Sequence, residues 1–158
     1  AAVLLAASTA TYAATRTWSG AVSTNRGTAI NWAESVVPVN GDDLVFPDSP
    51  TNRTSNNNIA GLSVASVTVT TMNSGAAYDF IGNGITLTGP ITFSNPGVGS
   101  GSGDPNWAIP ITLGASITMT SDGRVTPFNA TIGLGANTLT IAGGSQPSPA
   151  STARSSGR

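Results

Sequence analysis

The chain of 158 residues is predicted to fold as an all-β protein, a parallel β-solenoid with an N-terminal cap. Three observations lead to this prediction. A nine-residue motif recurs along the chain, apolar residues alternate with threonine inside the motif, and small residues separate its two halves. Self-similarity at a period of about 20 to 50 residues is typical of stacked architectures in which each unit covers the apolar face of its neighbour.

The motif occurs in three close copies and one looser copy. The close copies are ITLTGPITF at 85–93, ITLGASITM at 111–119 and, with one residue added, IGLGANTLTI at 132–141, and the looser copy is LSVASVTV at 62–69. In the first close copy, Ile85 and Leu87 face one way and Thr86 the other, as on a strand. Gly89 and Pro90 then turn a corner before the pattern repeats. The motif therefore predicts two strands joined by a bend in every coil.

A β-sandwich is the alternative fold, because short strands separated by turns also suit that architecture. Hairpin signals between successive strands are weak, which favours parallel stacking. The composition favours strands in either case, since β-branched residues are common and helix formers other than alanine are scarce. The chain has no cysteine, so burial and backbone pairing must stabilise the fold without disulfides.

The first 14 residues, AAVLLAASTATYAA, form a short apolar run that ends in small residues. This pattern is typical of a secretory signal peptide that lacks its basic start, with cleavage just after Ala13. A disordered or weakly helical leader is the alternative. The run is shorter than the roughly 20 apolar residues that span a bilayer, and no later segment is a candidate for a membrane span.

Residues 15–58 are predicted to form the N-terminal cap and the first coil. Trp18 and Trp32 lie in this segment, and the turn signal Asn40-Gly41 precedes a short apolar strand. Large aromatic residues at one end of a stack would shield its core from water, as terminal caps do in repeat proteins.

Residues 59–143 are predicted to carry the β-solenoid repeats. Two polar loops, at 51–58 and 94–106, are expected to be free to contact partners. Residues 144–158 have no apolar periodicity, and they are predicted to be either a disordered tail or the point at which a longer protein is truncated.

Three motifs in the cap resemble those of a known family. They are Trp18-Ser19-Gly20, Asn31-Trp32 and Pro38-Val39-Asn40-Gly41-Asp42. Together with the glycine-rich segment 133–143, they resemble the autotransporter-associated β-strand repeats of secreted bacterial autotransporter passengers, and the resemblance covers residues 16–143. It implies a single-stranded right-handed parallel β-helix that is exported and displayed at or beyond the cell surface. Family chains are usually much longer, so the resemblance also implies a passenger fragment.

Charge and composition exclude several classes of function. Charged residues make up 8% of the chain, the formal net charge is −1, and lysine is absent. Six scattered arginines do not form the basic patch that a nucleic-acid partner requires. Without histidine or cysteine, the chain cannot build a Cys/His zinc site or a Ser-His-Asp or Cys-His nucleophile. No catalytic residue, cofactor or metal site is predicted.

Polysaccharide hydrolases and lyases are the alternative function class, because β-helices also carry those activities. Glycoside hydrolysis requires two carboxyl groups about 5 to 9 Å apart. Asp42 and Asp43 are the only adjacent pair, but neighbours on a strand point to opposite faces, and capping of turn amides is the favoured role. The isolated aspartates are Asp48, Asp79, Asp104 and Asp122.

Two further patterns have a functional and a structural interpretation. Thr-x-Thr recurs at 68–70, 86–88, 118–120 and 138–140. Stacked in register, these residues would form a hydroxyl and methyl array able to bind ice or a regular glycan surface, although threonine is also the favoured outward residue on a strand. Trp18, Trp32 and Trp107 are candidates for sugar stacking, but core packing is the commoner use of such rings.

Taken together, these patterns predict an exported, non-enzymatic β-solenoid with a structural or adhesive role, secreted or at the outer cell surface. Its expected partners are further repeats of the same chain, or surface glycans and proteins. The alternatives are a carbohydrate-binding or polysaccharide-degrading β-helix and, less favoured, an ice-binding threonine array.

Overall fold

The computed structural model describes residues 13–70, 77–94, 105–121 and 129–143. The predicted signal peptide, the predicted loop at 94–106 and the tail 144–158 therefore lie largely or wholly outside the described residues. The described residues contain the strands β1 Thr15–Thr17, β2 Asp43–Phe46, β3 Thr54–Asn57, β4 Ser63–Val64, β5 Ser66–Thr70, β6 Asp79–Gly82, β7 Ile85–Leu87, β8 Ile91–Ser94, β9 Asn106–Trp107, β10 Ile111–Leu113, β11 Ile117–Ser121, β12 Ile132–Gly133 and β13 Leu139–Gly143. A short 3-10 helix, Ala29–Asn31, lies between β1 and β2.

Successive strands of the chain belong to three different parallel sheets. The six-stranded sheet has the order β1-β2-β5-β8-β11-β13, the four-stranded sheet β12-β10-β7-β4, and the three-stranded sheet β3-β6-β9. All ten pairings between these strands are parallel. The result is a β-solenoid of about four turns, which confirms the predicted fold and rules out the β-sandwich.

The register of the four-stranded sheet follows the sequence motif residue by residue. Ile111 pairs with both Ile85 and Ile132, and Val64 pairs with Leu87. These are the partners obtained by aligning the four copies of the motif. The apolar side chains of each copy consequently lie over those of the next, and each coil covers the interior of its neighbour.

The six-stranded sheet departs from the motif alignment at one step. The alignment matches Ile91 with Ile117, whereas Ile91 pairs with Met119 in the structure. The segment between Leu113 and Met119 is two residues longer than the one between Leu87 and Ile91, and the corner before β11 absorbs the difference. A slip of two residues keeps the inward side chains inside, because the side-chain period of a strand is two.

Each of the middle coils has a third strand where the sequence predicts none. The polar loop predicted at 51–58 is wrong, since Thr54–Asn57 forms β3 and pairs with β6. Its inward residues are Ser55 and Asn57, which are buried but polar, so no apolar alternation marks the strand. The side-chain amide of Asn57 donates to the carbonyl oxygen of Asn83 at 2.8 Å, which satisfies the buried group.

The interior contains side chains stacked in columns. One column of the six-stranded sheet consists of Leu44, Val67, Ile91, Met119 and Ile141, one residue from each successive strand. The first four are 1%, 1%, 0% and 5% exposed, whereas Ile141 is 73% exposed. The apolar interior is thus closed along the coils and open at the last strand.

Aromatic rings close the other end of the interior. Trp18 and Trp32 meet edge to face with centroids 5.2 Å apart, and both contact Phe46. The ring centroid of Phe80 lies 4.8 Å from that of Phe46 and 4.6 Å from that of Trp107, so the aromatic cluster continues into later coils. All three tryptophans are buried. Their interpretation as cap and core residues is confirmed, and their interpretation as sugar-stacking platforms is wrong.

Candidate functional site

The adjacent carboxylates Asp42 and Asp43 occupy different environments. Asp42 is buried before β2, and its Oδ2 accepts hydrogen bonds from Nε of Arg16 at 2.8 Å and from the backbone N of Val39 at 3.0 Å. Asp43 lies on β2 and accepts a hydrogen bond from the hydroxyl of Ser66 on the next coil. The predicted capping of a turn amide is confirmed for Asp42, and both carboxylates join neighbouring segments of the solenoid.

The pKa of Asp42 lies below its ordinary value. Burial alone would raise the pKa, but hydrogen bonds from Arg16, Val39 and Ala14 and the positive charge of Arg16 outweigh that effect. The general acid of a glycosidase needs a raised pKa instead. The environment of Asp42 therefore suits a permanently ionised residue in a structural ion pair.

The remaining acidic candidates are distributed over other parts of the chain. Asp79 lies on β6 in the three-stranded sheet, and Asp48 is exposed between β2 and β3. Asp104 and Asp122 lie outside the described residues. Within the described ranges, no group of three or more His, Cys, Asp or Glu side chains is placed to hold a metal ion.

An amide ladder that the sequence patterns do not reveal runs along the three-stranded sheet. The amide nitrogen of Asn106 donates to Asp79 at 2.7 Å, and that of Asn129 donates to Asn106 at 2.7 Å. A separate side-chain contact, two residues further along the strand, joins Asn56 to Asn25 at 3.0 Å. The register aligns Asp79 with Thr54 and Asn106, so the residues of this ladder do not repeat as one residue type and no sequence motif marks them. Each of these contacts joins one coil to the next through side chains.

The outward face of the six-stranded sheet carries a regular set of hydroxyl groups, here named the hydroxyl face. It consists of Ser66, Thr68, Thr70, Thr92, Ser94, Thr118, Thr120 and Thr140 on β5, β8, β11 and β13. Thr92 pairs with both Thr68 and Thr120, and Thr118 pairs with Thr140. Strand geometry spaces such side chains about 4.8 Å apart across strands and about 6.6 Å apart along a strand.

The Thr-x-Thr pairs are divided between two faces. The pair at 86–88 belongs to the four-stranded sheet, where Thr86 pairs with Thr112 and Ser63. The pairs at 68–70 and 118–120 lie on the hydroxyl face. The two-residue slip before β11 aligns Thr120, rather than Thr118, with Thr92. A register that differs from the motif alignment therefore still keeps threonine beside threonine.

In the part of the chain that the structure describes, no helix combines the length and apolar character needed to cross a membrane. No protein-family model, curated protein or solved structure matches this chain. Any functional assignment therefore depends on the geometry of the solenoid and on the sequence patterns.

Proposed function

We propose that the chain is a segment of an exported, non-enzymatic β-solenoid that serves a structural and adhesive role at or beyond the cell surface. One observation carries the structural part, namely the burial gradient from Leu44 at 1% exposed to Ile141 at 73% exposed within a single inward column. Exposed apolar side chains on an edge strand favour association with another strand. A further parallel coil with aliphatic residues at alternate positions supplies that cover.

The proposed role is that of a stiff extension. Each additional coil lengthens the solenoid by about 4.8 Å, and backbone hydrogen bonds together with the apolar columns resist bending. In a longer passenger protein, further coils would pack on β13, and in the isolated chain a second copy would pack there instead. The export part of the proposal is supported by the apolar leader and the cap motifs. Cleavage after Ala13 would leave all strands of the described residues intact, since β1 begins at Thr15.

Ile141→Thr tests the proposed open end. We expect the variant to reduce concentration-dependent association in sedimentation velocity, while the free energy of unfolding changes by less than about 0.5 kcal/mol because the side chain is already exposed. Ile91→Thr in the same column is the matched control, and it should lower the free energy of unfolding by about 2 to 4 kcal/mol.

Equal destabilisation by the two substitutions would show that β13 is already covered within this chain, and would overturn the proposal. Release of reducing sugars from soluble polysaccharides by the wild-type chain would overturn the non-enzymatic part.

A second candidate function is adhesion to a regular hydroxyl-bearing lattice, either an insoluble glycan or ice. The observation that favours it is the column of Thr68, Thr92 and Thr120, which repeats one uncharged side chain on three neighbouring strands. These three threonines offer hydroxyl and methyl groups at regular intervals, and the carboxylate of Asp43 lies at the edge of the face beside Ser66.

Thr92→Glu tests this candidate by placing a charge in the middle of the hydroxyl face. We expect at least a roughly tenfold loss of binding to cellulose or chitin particles, or loss of ice shaping, because burying an unpaired carboxylate at the contact is unfavourable. Thr112→Glu, on the four-stranded sheet, is the control and should bind as the wild type does. Absence of binding by the wild type to all three surfaces, or an equal loss in both variants, would rule out the hydroxyl face as an adhesive surface.

A further inference from the structure

The N-terminal edges of two sheets are covered by segments of the cap. Both backbone groups of Asn56 on β3 bond to residues 24–26, at 2.7 Å and 2.9 Å. On β4, the carbonyl oxygen of Ser63 accepts a hydrogen bond from the backbone N of Gly41 at 2.8 Å, and its backbone N donates to Oδ1 of Asn40 at 2.9 Å. A strand of another molecule would therefore meet edge groups that are already bonded.

The third N-terminal edge is β1, where a carboxylate takes part in the cover. The carbonyl oxygen of Thr17 accepts a hydrogen bond from the backbone N of Ala33 at 2.8 Å, and its backbone N donates to Oε2 of Glu34 at 2.9 Å. Burial alone would raise the pKa of Glu34, but hydrogen bonds from Thr17 and from its own backbone, with the charge of Arg16, hold it below its ordinary value. A strand added to β1 would have to displace this ionised side chain.

A buried ion pair lies at the cap end of the interior column of the six-stranded sheet. Arg16 pairs with Leu44 in the register of β1 and β2, so it occupies the position that precedes the column from Leu44 to Ile141. Its Nε donates to Oδ2 of Asp42 at 2.8 Å, and the two side chains are only 14% and 3% exposed. An apolar end stacked on β1 would remove this pair from its remaining water, which is unfavourable. Inward-pointing charges of this kind protect edge strands from association.

The opposite end of the solenoid lacks these protections in the described residues. Among the described strands, β12 and β13 each pair with a neighbour on one side only. Residues 129–143 include no charged side chain. Leu134 and Ile141 are 43% and 73% exposed, so aliphatic groups lie beside the open strand edges. This end can accept a strand from another molecule, whereas the cap end resists one.

We propose that two copies of this chain associate tail to tail, with β13 of one copy pairing antiparallel with β13 of the other. The inference rests on the proposed open end, and it adds which surface of the second copy covers it. A two-fold axis through Ile141, perpendicular to the sheet, keeps the apolar side chains of both copies on the inner face and opposes Leu139 of one copy to Gly143 of the other. Such an interface closes at a dimer, whereas head-to-tail stacking would continue without limit.

Sedimentation equilibrium of the wild-type chain tests the closed stoichiometry. We expect one monomer–dimer equilibrium to describe the data at all concentrations, because each copy has a single open end. Species that keep growing with concentration would overturn the tail-to-tail inference and leave the proposed open end intact. A wild-type chain that stays monomeric would contradict both.

Disulfide cross-linking tests the orientation, because the chain has no cysteine of its own. Residues directly opposite each other in an antiparallel pair have Cα atoms about 4.5 to 5.5 Å apart, within the range that a disulfide spans. Ile141→Cys keeps a small apolar side chain, so it should form disulfide-linked dimers under mild oxidation. Thr15→Cys, on β1 at the cap end, is the matched control.

The two variants are mixed after one of them is isotopically labelled, so that mass spectrometry separates the three possible dimers. Dimers of two Ile141→Cys chains should form at least about tenfold faster than mixed dimers, because tail-to-tail association raises the effective concentration only of the cysteines introduced at position 141. Mixed dimers forming at an equal or higher rate would show that the cap end accepts β13, and would overturn the proposal.

Discussion

Phe46→Ala should lower the free energy of unfolding by about 3 to 5 kcal/mol, measured by chemical denaturation. Phe46 is 0% exposed and contacts Trp18, Trp32 and Phe80, so its removal leaves a cavity where the cap meets the coils. The ring also faces the guanidinium of Arg26 at 5.1 Å. Its loss therefore removes apolar burial, ring contacts and part of the environment of a buried cation at once.

Two control variants show whether the loss of stability in Phe46→Ala comes from the buried ring. Phe46→Leu keeps most of the buried volume and should lower the free energy of unfolding by less than about 2 kcal/mol. Val22→Ala removes an apolar side chain that is 60% exposed, and its effect should stay within about 0.5 kcal/mol. If Phe46→Ala is as mild as Val22→Ala, the aromatic cluster is not the anchor of the cap.

Gly82→Ala should lower the free energy of unfolding by about 3 kcal/mol or more in the same assay. Gly82 has a φ of +103°, which L-residues rarely adopt. A Cβ at this position would also lie 2.8 Å from the backbone N of Asn57 and in contact with Asn56 on the neighbouring coil. Asn56 and Asn57 belong to β3, which pairs with β6, so β3 cannot move away without losing its backbone hydrogen bonds.

Gly61→Ala separates backbone strain from the contact between coils. Gly61 has a φ of +66°, and a Cβ there would have nothing within 4 Å. Its substitution should therefore lower the free energy of unfolding by only about 1 to 2 kcal/mol, the effect of the left-handed backbone alone. Equal losses for Gly61→Ala and Gly82→Ala would indicate that close approach of the coils at Gly82 is not limiting.

The sequence predicts the fold well where the inward residues are aliphatic. Ile85, Ile111 and Ile132 occupy equivalent positions in the motif, and they are partners in the four-stranded sheet. The prediction fails for β3, because Ser55 and Asn57 face the interior and a strand with polar inward residues resembles a loop in composition. Sequence periodicity detects burial of apolar groups, but it does not detect polar groups that are buried with their partners.

The candidate sites, like the fold, could be predicted from the sequence only in part. The motif predicts threonine on the outward face, but the register that joins Thr92 to Thr120 depends on how a corner accommodates two residues. The sequence does not predict that Arg26 is buried, since a single arginine between polar residues is typical of an exposed side chain. Its burial depends on contacts of its backbone with Trp32, six residues away, and with Asn56, which is 30 residues away and could not be identified from the sequence.

The unequal ends of the interior column have a consequence for folding. Every parallel pairing between the described strands joins residues more than 20 positions apart, so each strand can be ordered only after its predecessor provides a template. Phe46 is fully buried and contacts four aromatic rings, whereas Leu139–Gly143 pairs with a single neighbouring strand. Assembly is therefore expected to nucleate beside the tryptophans and to propagate towards the later strands, with fraying in the reverse direction.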